Sequence, residues 1–167
     1  MSRLIVMTGP CCAGKSEFVR QMQDRGELDG FDIVCPEDYY KAINGDAGDR
    51  TNRERIWLAI WEHIMFNMSA GVNTLVDANA PTECSRTQYL EWFRGFDKRE
   101  LIYIDSSYIT TYKNNQKRTE RQLATSDLLK QWRDYDVPDH DARLYEWDSF
   151  SRWCNCGDGC FKFMGGR

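Results

Sequence analysis

Gly9, Gly14, Lys15 and Ser16 stand at the spacing GxxxxGKS, in the run Gly9-Pro10-Cys11-Cys12-Ala13-Gly14-Lys15-Ser16. Glycines at the two ends let the chain turn tightly, so that successive backbone N–H groups and the positive end of a following helix converge on phosphate oxygens. A lysine placed after them reaches the β- and γ-phosphates of a nucleotide, and the adjoining hydroxyl is a ligand for Mg²⁺. Gly9, Cys11, Cys12, Ala13, Gly14, Lys15 and Ser16 are therefore the candidate residues for ATP, with Ser16 the metal ligand. The setting supports the motif: Leu4-Ile5-Val6-Met7 before it reads as a buried strand, and Ser16 to Gln23 after it reads as a helix.

Phosphoryl transfer also needs carboxylates, and three stretches offer them. Phe31-Asp32-Ile33-Val34 is a short strand that leads into Cys35-Pro36-Glu37-Asp38-Tyr39-Tyr40-Lys41. Ligands of open α/β sheets bind beyond the carboxyl ends of the strands, so Glu37 and Asp38 are both placed to take the proton of an attacking hydroxyl. The same two acids also suit the first turn of a helix. Thr74-Leu75-Val76-Asp77 and Leu101-Ile102-Tyr103-Ile104-Asp105 are strands that end in an acid, the type that steadies Mg²⁺ beside a phosphate loop. Asp105 precedes Ser106-Ser107, a pair suited to helix capping, which leaves Asp77 as the preferred acid. Farther on, Tyr108 to Arg121 carries Lys113, Lys117, Arg118 and Arg121 against Glu120, a local charge of +3. Such a segment after the fourth strand predicts a lid over about 108–132, whose Arg118 or Arg121 closes on the γ-phosphate. Asp127 to Trp132 is expected as its second helix, capped by Thr125 or Ser126.

The elements that must hold these residues alternate strand-like and helix-like runs, the pattern of βαβ units around a parallel sheet. The expected fold class is α/β, with about five strands. The clearest helix runs from Arg53 to Met68, where Ile56, Trp57, Ile60, Trp61, Ile64, Met65 and Met68 recur at three- and four-residue spacing. That stripe and His63 beside it are read as core, without chemistry. Residues 43–53 read as a polar surface loop, and Thr82 to Arg94 as a further helix ending before Gly95. Leu144-Tyr145-Glu146-Trp147 is the candidate fifth strand, with the preceding loop near the nucleotide base. Residues 153–167 form a Cys- and Gly-rich tail in which Cys154, Cys156 and Cys160 match none of the usual zinc spacings.

A chain of 167 residues with 41% hydrophobic content supports one core and one domain, 1–167. No apolar run is long enough for a membrane span and no secretory signal is evident, so a cytoplasmic protein is expected. The odd cysteine count of 7, two of them inside the phosphate loop, agrees with a reducing compartment. A net charge of −4 excludes indiscriminate nucleic-acid binding over the whole surface.

Over about residues 1–138 the chain resembles the kinase domain of phage polynucleotide 5′-hydroxyl kinase and its phosphate-loop relatives. The resemblance is carried by GPCCAGKS, by EDYY with Lys41, by VDAN before a Pro-led helix, and by NNQKRTER before a helix that ends near Val137-Pro138. It implies a P-loop kinase fold with a helical lid, using ATP and Mg²⁺, with a nucleic-acid hydroxyl as acceptor: a 5′-OH, or a hydroxymethyl group on a modified DNA base. A phage-encoded protein would then work in the host cytoplasm. Position by position, Lys15 and Ser16 match the phosphate and metal ligands, Asp77 and Asn79 the DxN motif, and Arg118 the lid arginine, with Arg121 as alternate. The family's base and acceptor-phosphate residues fall on Glu37 and Tyr40 by register, or on Asp38 and Lys41 by the spacing Asp-x-x-basic. No DxDGT phosphatase motif follows. Small nucleoside or nucleotide kinases look similar, and a nucleotide-binding switch without an acceptor is the reading from another class. An acidic chain with one basic segment suits a short single strand or one displaced nucleotide, with Tyr39 and Tyr40 stacking on the base.

Overall fold

The computed structural model describes every residue except Glu120, so the acid expected within the lid lies outside the described residues. The first strand, β1 (Arg3–Thr8), is followed by helix α1 (Lys15–Asp24), β2 (Phe31–Val34), α2 (Pro36–Asn44), α3 (Arg53–Ala70) and β3 (Asn73–Asp77). Then come α4 (Glu83–Trp92), β4 (Lys98–Ser106), α5 (Tyr108–Gln116), α6 (Thr125–Arg133), β5 (Ser149–Gly157) and β6 (Cys160–Gly166). One six-stranded sheet has the order β2-β3-β1-β4-β5-β6. The pairs β2–β3, β3–β1, β1–β4 and β4–β5 are parallel, and β6 closes the edge antiparallel to β5. This is an α/β fold of the P-loop kinase type.

Successive side chains of a strand point to opposite faces, and a central parallel strand must be apolar on both. β1 meets this demand: Leu4 and Val6 enter the cluster with Ile56, Ile60 and Ile64 of α3, Leu90 of α4 and Phe93 at its end. Ile5 and Met7 enter the cluster with Phe18, Val19 and Met22 of α1. Each such side chain, fully removed from water, contributes about 1.5–3 kcal/mol. β1 is thereby fixed, and the turn that leaves it at Thr8 is fixed with it.

Two expectations fail toward the C-terminus. Leu144–Glu146 is a single 3-10 turn rather than a strand; the fifth strand is Ser149–Gly157. The tail is also not a loose appendage, since Cys160–Gly166 pairs with β5 as the sixth strand. Phe150 and Asn155 are the buried residues of β5, while its other positions are partly buried or, at Cys156, exposed, so no strict apolar alternation marks it. The second lid helix starts at Thr125 with Ala124 as its N-cap and no side-chain cap, not with Thr125 or Ser126 in that role. Ser107 does cap α5, accepting a bond from the Thr110 N–H at 3.1 Å. Among the described residues no helix is long and apolar enough to cross a membrane.

Candidate active site

The loop between β1 and α1 has the backbone that its sequence requires. Gly9 lies at φ 152°, and a Cβ there would stand 2.5 Å from the Ile104 carbonyl oxygen. Gly14 lies at φ 98°, with Asn155 Nδ2 only 2.4 Å from where a Cβ would be. A Cβ at Gly9 would meet the backbone of β4, and one at Gly14 would displace the Asn155 amide. Lys15 is buried, and its Nζ donates to the carbonyls of Gly9 and Pro10 at 2.9 Å each, which holds the ammonium across the loop. Asn155 of β5 supports the loop from behind, Nδ2 donating to the Ala13 carbonyl at 2.8 Å. Asn114 of α5 donates to the Cys12 carbonyl at 3.0 Å. Neither contact was expected from sequence, since nothing in the run Cys154-Asn155-Cys156 distinguishes a buried amide from a turn residue.

Asp77 at the end of β3 is the acid that meets the loop: the Ser16 hydroxyl donates to Asp77 Oδ2 at 2.6 Å. Burial pushes the Asp77 carboxyl above its ordinary value, opposed by the Lys15 charge and the Ser16 hydroxyl. Burial likewise pulls the Lys15 ammonium down, opposed first by Asp77. Asp105, the other strand-terminal acid, is engaged elsewhere, paired with Arg152 Nη2 at 2.5 Å. A hydroxyl and a carboxylate oxygen side by side are hard donors of the kind Mg²⁺ takes, so Ser16 and Asp77 fit that ion.

Three cavities open around this centre. A phosphate-sized recess of 290 Å³ is lined by Cys11, Cys12, Gly14, Lys15, Ser16, Glu37, Asp77 and Arg118, with Asn114, Asn155 and Gly159 on the far wall. Gly159 of the β5–β6 turn lines this recess, and Lys117 pairs with Asp158 of that turn at 3.0 Å. A cavity of 620 Å³ lies on the other side of Glu37 and Asp77, between α2, α3 and α4. Its walls hold Arg50, Arg53 and Arg121, the indoles of Trp57 and Trp61, and Gln88. A third cavity of 520 Å³ runs under the lid between Cys11, Leu123, Lys130 and Tyr135. Asn79 lines all three.

The acids and bases expected on α2 are divided by the turn of that helix. Glu37 faces the recess and the large cavity, whereas Asp38 is exposed and lines none of the three. Tyr40 is buried, with the Arg50 guanidinium 4.4 Å above its ring, so it forms wall rather than a stacking platform. Tyr39 turns away from the cleft: its hydroxyl bonds His63 Nδ1, and His63 Nε2 meets Asp32 at 2.7 Å. Lys41 is exposed and outside the cavities. Tyr40 thus lines the large cavity, while Tyr39 and Lys41 line none of the three, because consecutive residues of a helix point about 100° apart. Arg118 and Arg121 also separate: Arg118 faces the phosphate recess, and Arg121, at φ 55°, pairs with Glu37 from the acceptor side.

Trp57 and Trp61, assigned to the core alone from their spacing, do pack there, Trp61 on Tyr89 and Phe93 and Trp57 on Trp61, yet both also line the large cavity. A signal was available. Arg50, Arg53, Trp57 and Trp61 continue the same three- and four-residue spacing, and a core stripe does not carry two arginines at its start.

A family model described as an AAA domain (AAA_33) matches residues 4–138. No curated protein matches. Among solved structures, one titled as the Pnkp1/Rnl/Hen1 RNA repair complex aligns at 17% identity and TM-score 0.71, covering 80% of this chain and 44% of that one. This chain therefore spans less than half of that protein. The PezAT chromosomal toxin-antitoxin system of Streptococcus pneumoniae aligns at 11% identity and TM-score 0.73, covering 99% and 72%. A gluconokinase from Sinorhizobium meliloti aligns at 17% identity and TM-score 0.61, covering 93% and 83%. At these identities the likeness is one of fold.

Proposed function

The chain belongs to the AAA domain family AAA_33, and on that premise we propose that it transfers the γ-phosphate of ATP to a hydroxyl of a nucleic acid, the 5′-OH of a single strand. The observation that carries this reading is the large cavity itself. Glu37 and Asp77 form its inner end, and Arg50, Arg53, Trp57 and Trp61 its walls. Arginines and indoles together suit a ligand with both phosphates and flat bases. Asn79 joins this cavity to the one beneath the lid, which gives room for more than one nucleotide.

Each residue then has a task. Lys15 and the loop amides hold the β- and γ-phosphates, and Ser16 and Asp77 hold Mg²⁺, which when bound neutralises phosphate charge. Glu37 accepts the proton of the incoming hydroxyl. Arg118 stabilises the charge that develops on the transferred group, and Arg121 orients Glu37. The arginines and indoles that line the cavity support this choice of acceptor.

ADP formation measured with and without a 5′-OH oligonucleotide tests the reading. The rate is expected to rise with acceptor and to vanish in Lys15→Ala. A rate indifferent to acceptor would instead mark a nucleotide-binding switch.

A further inference from the structure

Asn79 sits in a loop whose backbone is strained: Ala80 has φ 38°, a conformation that a residue with a Cβ adopts only when its surroundings compel it. Three buried side chains do so. The Thr8 hydroxyl lies 2.8 Å from the Asn79 carbonyl and 3.0 Å from that of Ala80. Thr8 has one proton to give to these acceptors, so the hydroxyl of Tyr135, 2.5 Å away, is the donor to Thr8. Burial raises the Tyr135 phenol above its ordinary value, which keeps that proton in place. Arg86, the largest fully buried side chain, donates from Nη1 to the Ala80 carbonyl at 2.9 Å.

The other end of this network is the segment that leaves the lid. Arg86 grips Asp141 with two bonds of 2.6 Å. The Asp136 N–H donates to the Pro81 carbonyl at 3.0 Å, and the Tyr135 ring stacks on Tyr103 at 5.8 Å with planes 6° apart. Gly9 N–H donates to the Asn79 carbonyl at 3.3 Å, which ties the phosphate loop to the same point. A buried guanidinium and a buried phenol are costly places to put polar groups, and a loop needing only to connect β3 to α4 could have been closed without them.

We propose that Tyr135 and Arg86 are positioning residues that hold Asn79 where the cavities meet, so that placement of the acceptor, and not binding of the nucleotide, depends on them. The proposal rests on the kinase reading. It makes the lid's exit segment part of the acceptor site: the chain just after α6 cannot shift at Tyr135 without releasing the loop that carries Asn79.

Tyr135→Phe removes the hydroxyl and leaves the ring stack. With a short 5′-OH single-stranded DNA as acceptor, kcat/KM for the oligonucleotide is expected to fall about tenfold, the size of one lost buried hydrogen bond. The Kd for ATP should stay within about twofold, and Thr8→Val should behave alike. In an Asn79→Ala background, Tyr135→Phe should bring little further loss, because the effect acts through Asn79. Additive losses, or a parallel loss of ATP affinity, would mean that the network is merely structural and would overturn the proposal. Absence of transfer by the parent protein would overturn the kinase reading itself, a result distinct from either.

Discussion

Glu37 and Asp38 are neighbours in sequence but point about 100° apart around α2, and only one of them can serve the cleft. Glu37 lines the phosphate recess and the large cavity, while Asp38 is exposed. Glu37→Gln should therefore lower kcat by about a hundredfold or more, and Asp38→Asn should leave it within about twofold, in steady-state kinetics with saturating ATP. Equal effects would contradict the assignment. Cys11 has a second, independent signature. The Cys12 thiol 3.7 Å away, with the charges of Lys15, Arg118 and Arg121, lowers its pKa from 9.0 to about 6. In the same recess burial pushes Cys35 up to about 12. A lowered thiol is ionised above its pKa and loses the thiolate as pH falls through it. Alkylation of Cys11 by iodoacetamide, followed by peptide mass spectrometry, should thus slow about tenfold between pH 7 and pH 5. A midpoint near the ordinary thiol value would show that those groups do not act on it.

At the scale of elements, the lid divides its labour between two arginines three residues apart. Arg118→Ala should lower kcat by on the order of a thousandfold with little change in ATP affinity, as befits a contact strongest in the transition state. Arg121→Ala should act mainly through Glu37, with which it pairs, and so change acceptor turnover while sparing ATP binding. Rapid-quench kinetics and nucleotide titration check both, and an unchanged kcat in the pair of variants would leave the two arginines without a catalytic part. The lid was legible as charge, and α3 as a stripe, because both are local patterns. What was not legible depended on rotation about an axis or on distant pairing. The sequence Glu37-Asp38-Tyr39-Tyr40-Lys41 offers five polar groups, and only the seating of α2 on α3 through Tyr40 decides which face the cleft. β5 and β6 were missed because β5 is mostly half-buried and β6 mostly exposed, so no alternation betrays them.

Taken whole, the molecule is a sheet whose central strands were readable as apolar runs, with the catalytic residues expected at the ends of those strands. Lys15 and Ser16 were singled out by the GxxxxGKS spacing and Asp77 by its place at a strand end, and the structure brings the three around one recess; Arg50, Arg53, Trp57 and Trp61, which sit on or just before a helix at the cavity wall, were not singled out for a site. The net charge of −4 confines any attraction for polyanions to this cleft. With Arg50 and Arg53 as the phosphate contacts, log KM for a single-stranded acceptor should rise with log salt at a slope of about 1 to 2, far gentler than for a basic DNA-binding surface. A flat response would remove phosphates from the acceptor.

The most direct measurement is competition for γ-labelled ATP between a short single-stranded DNA with a free 5′-OH and a free nucleoside, in one reaction. The oligonucleotide should take the label with the higher kcat/KM, and the label should reside on its 5′ end. Preferential labelling of the nucleoside, or of neither, would contradict a polynucleotide acceptor.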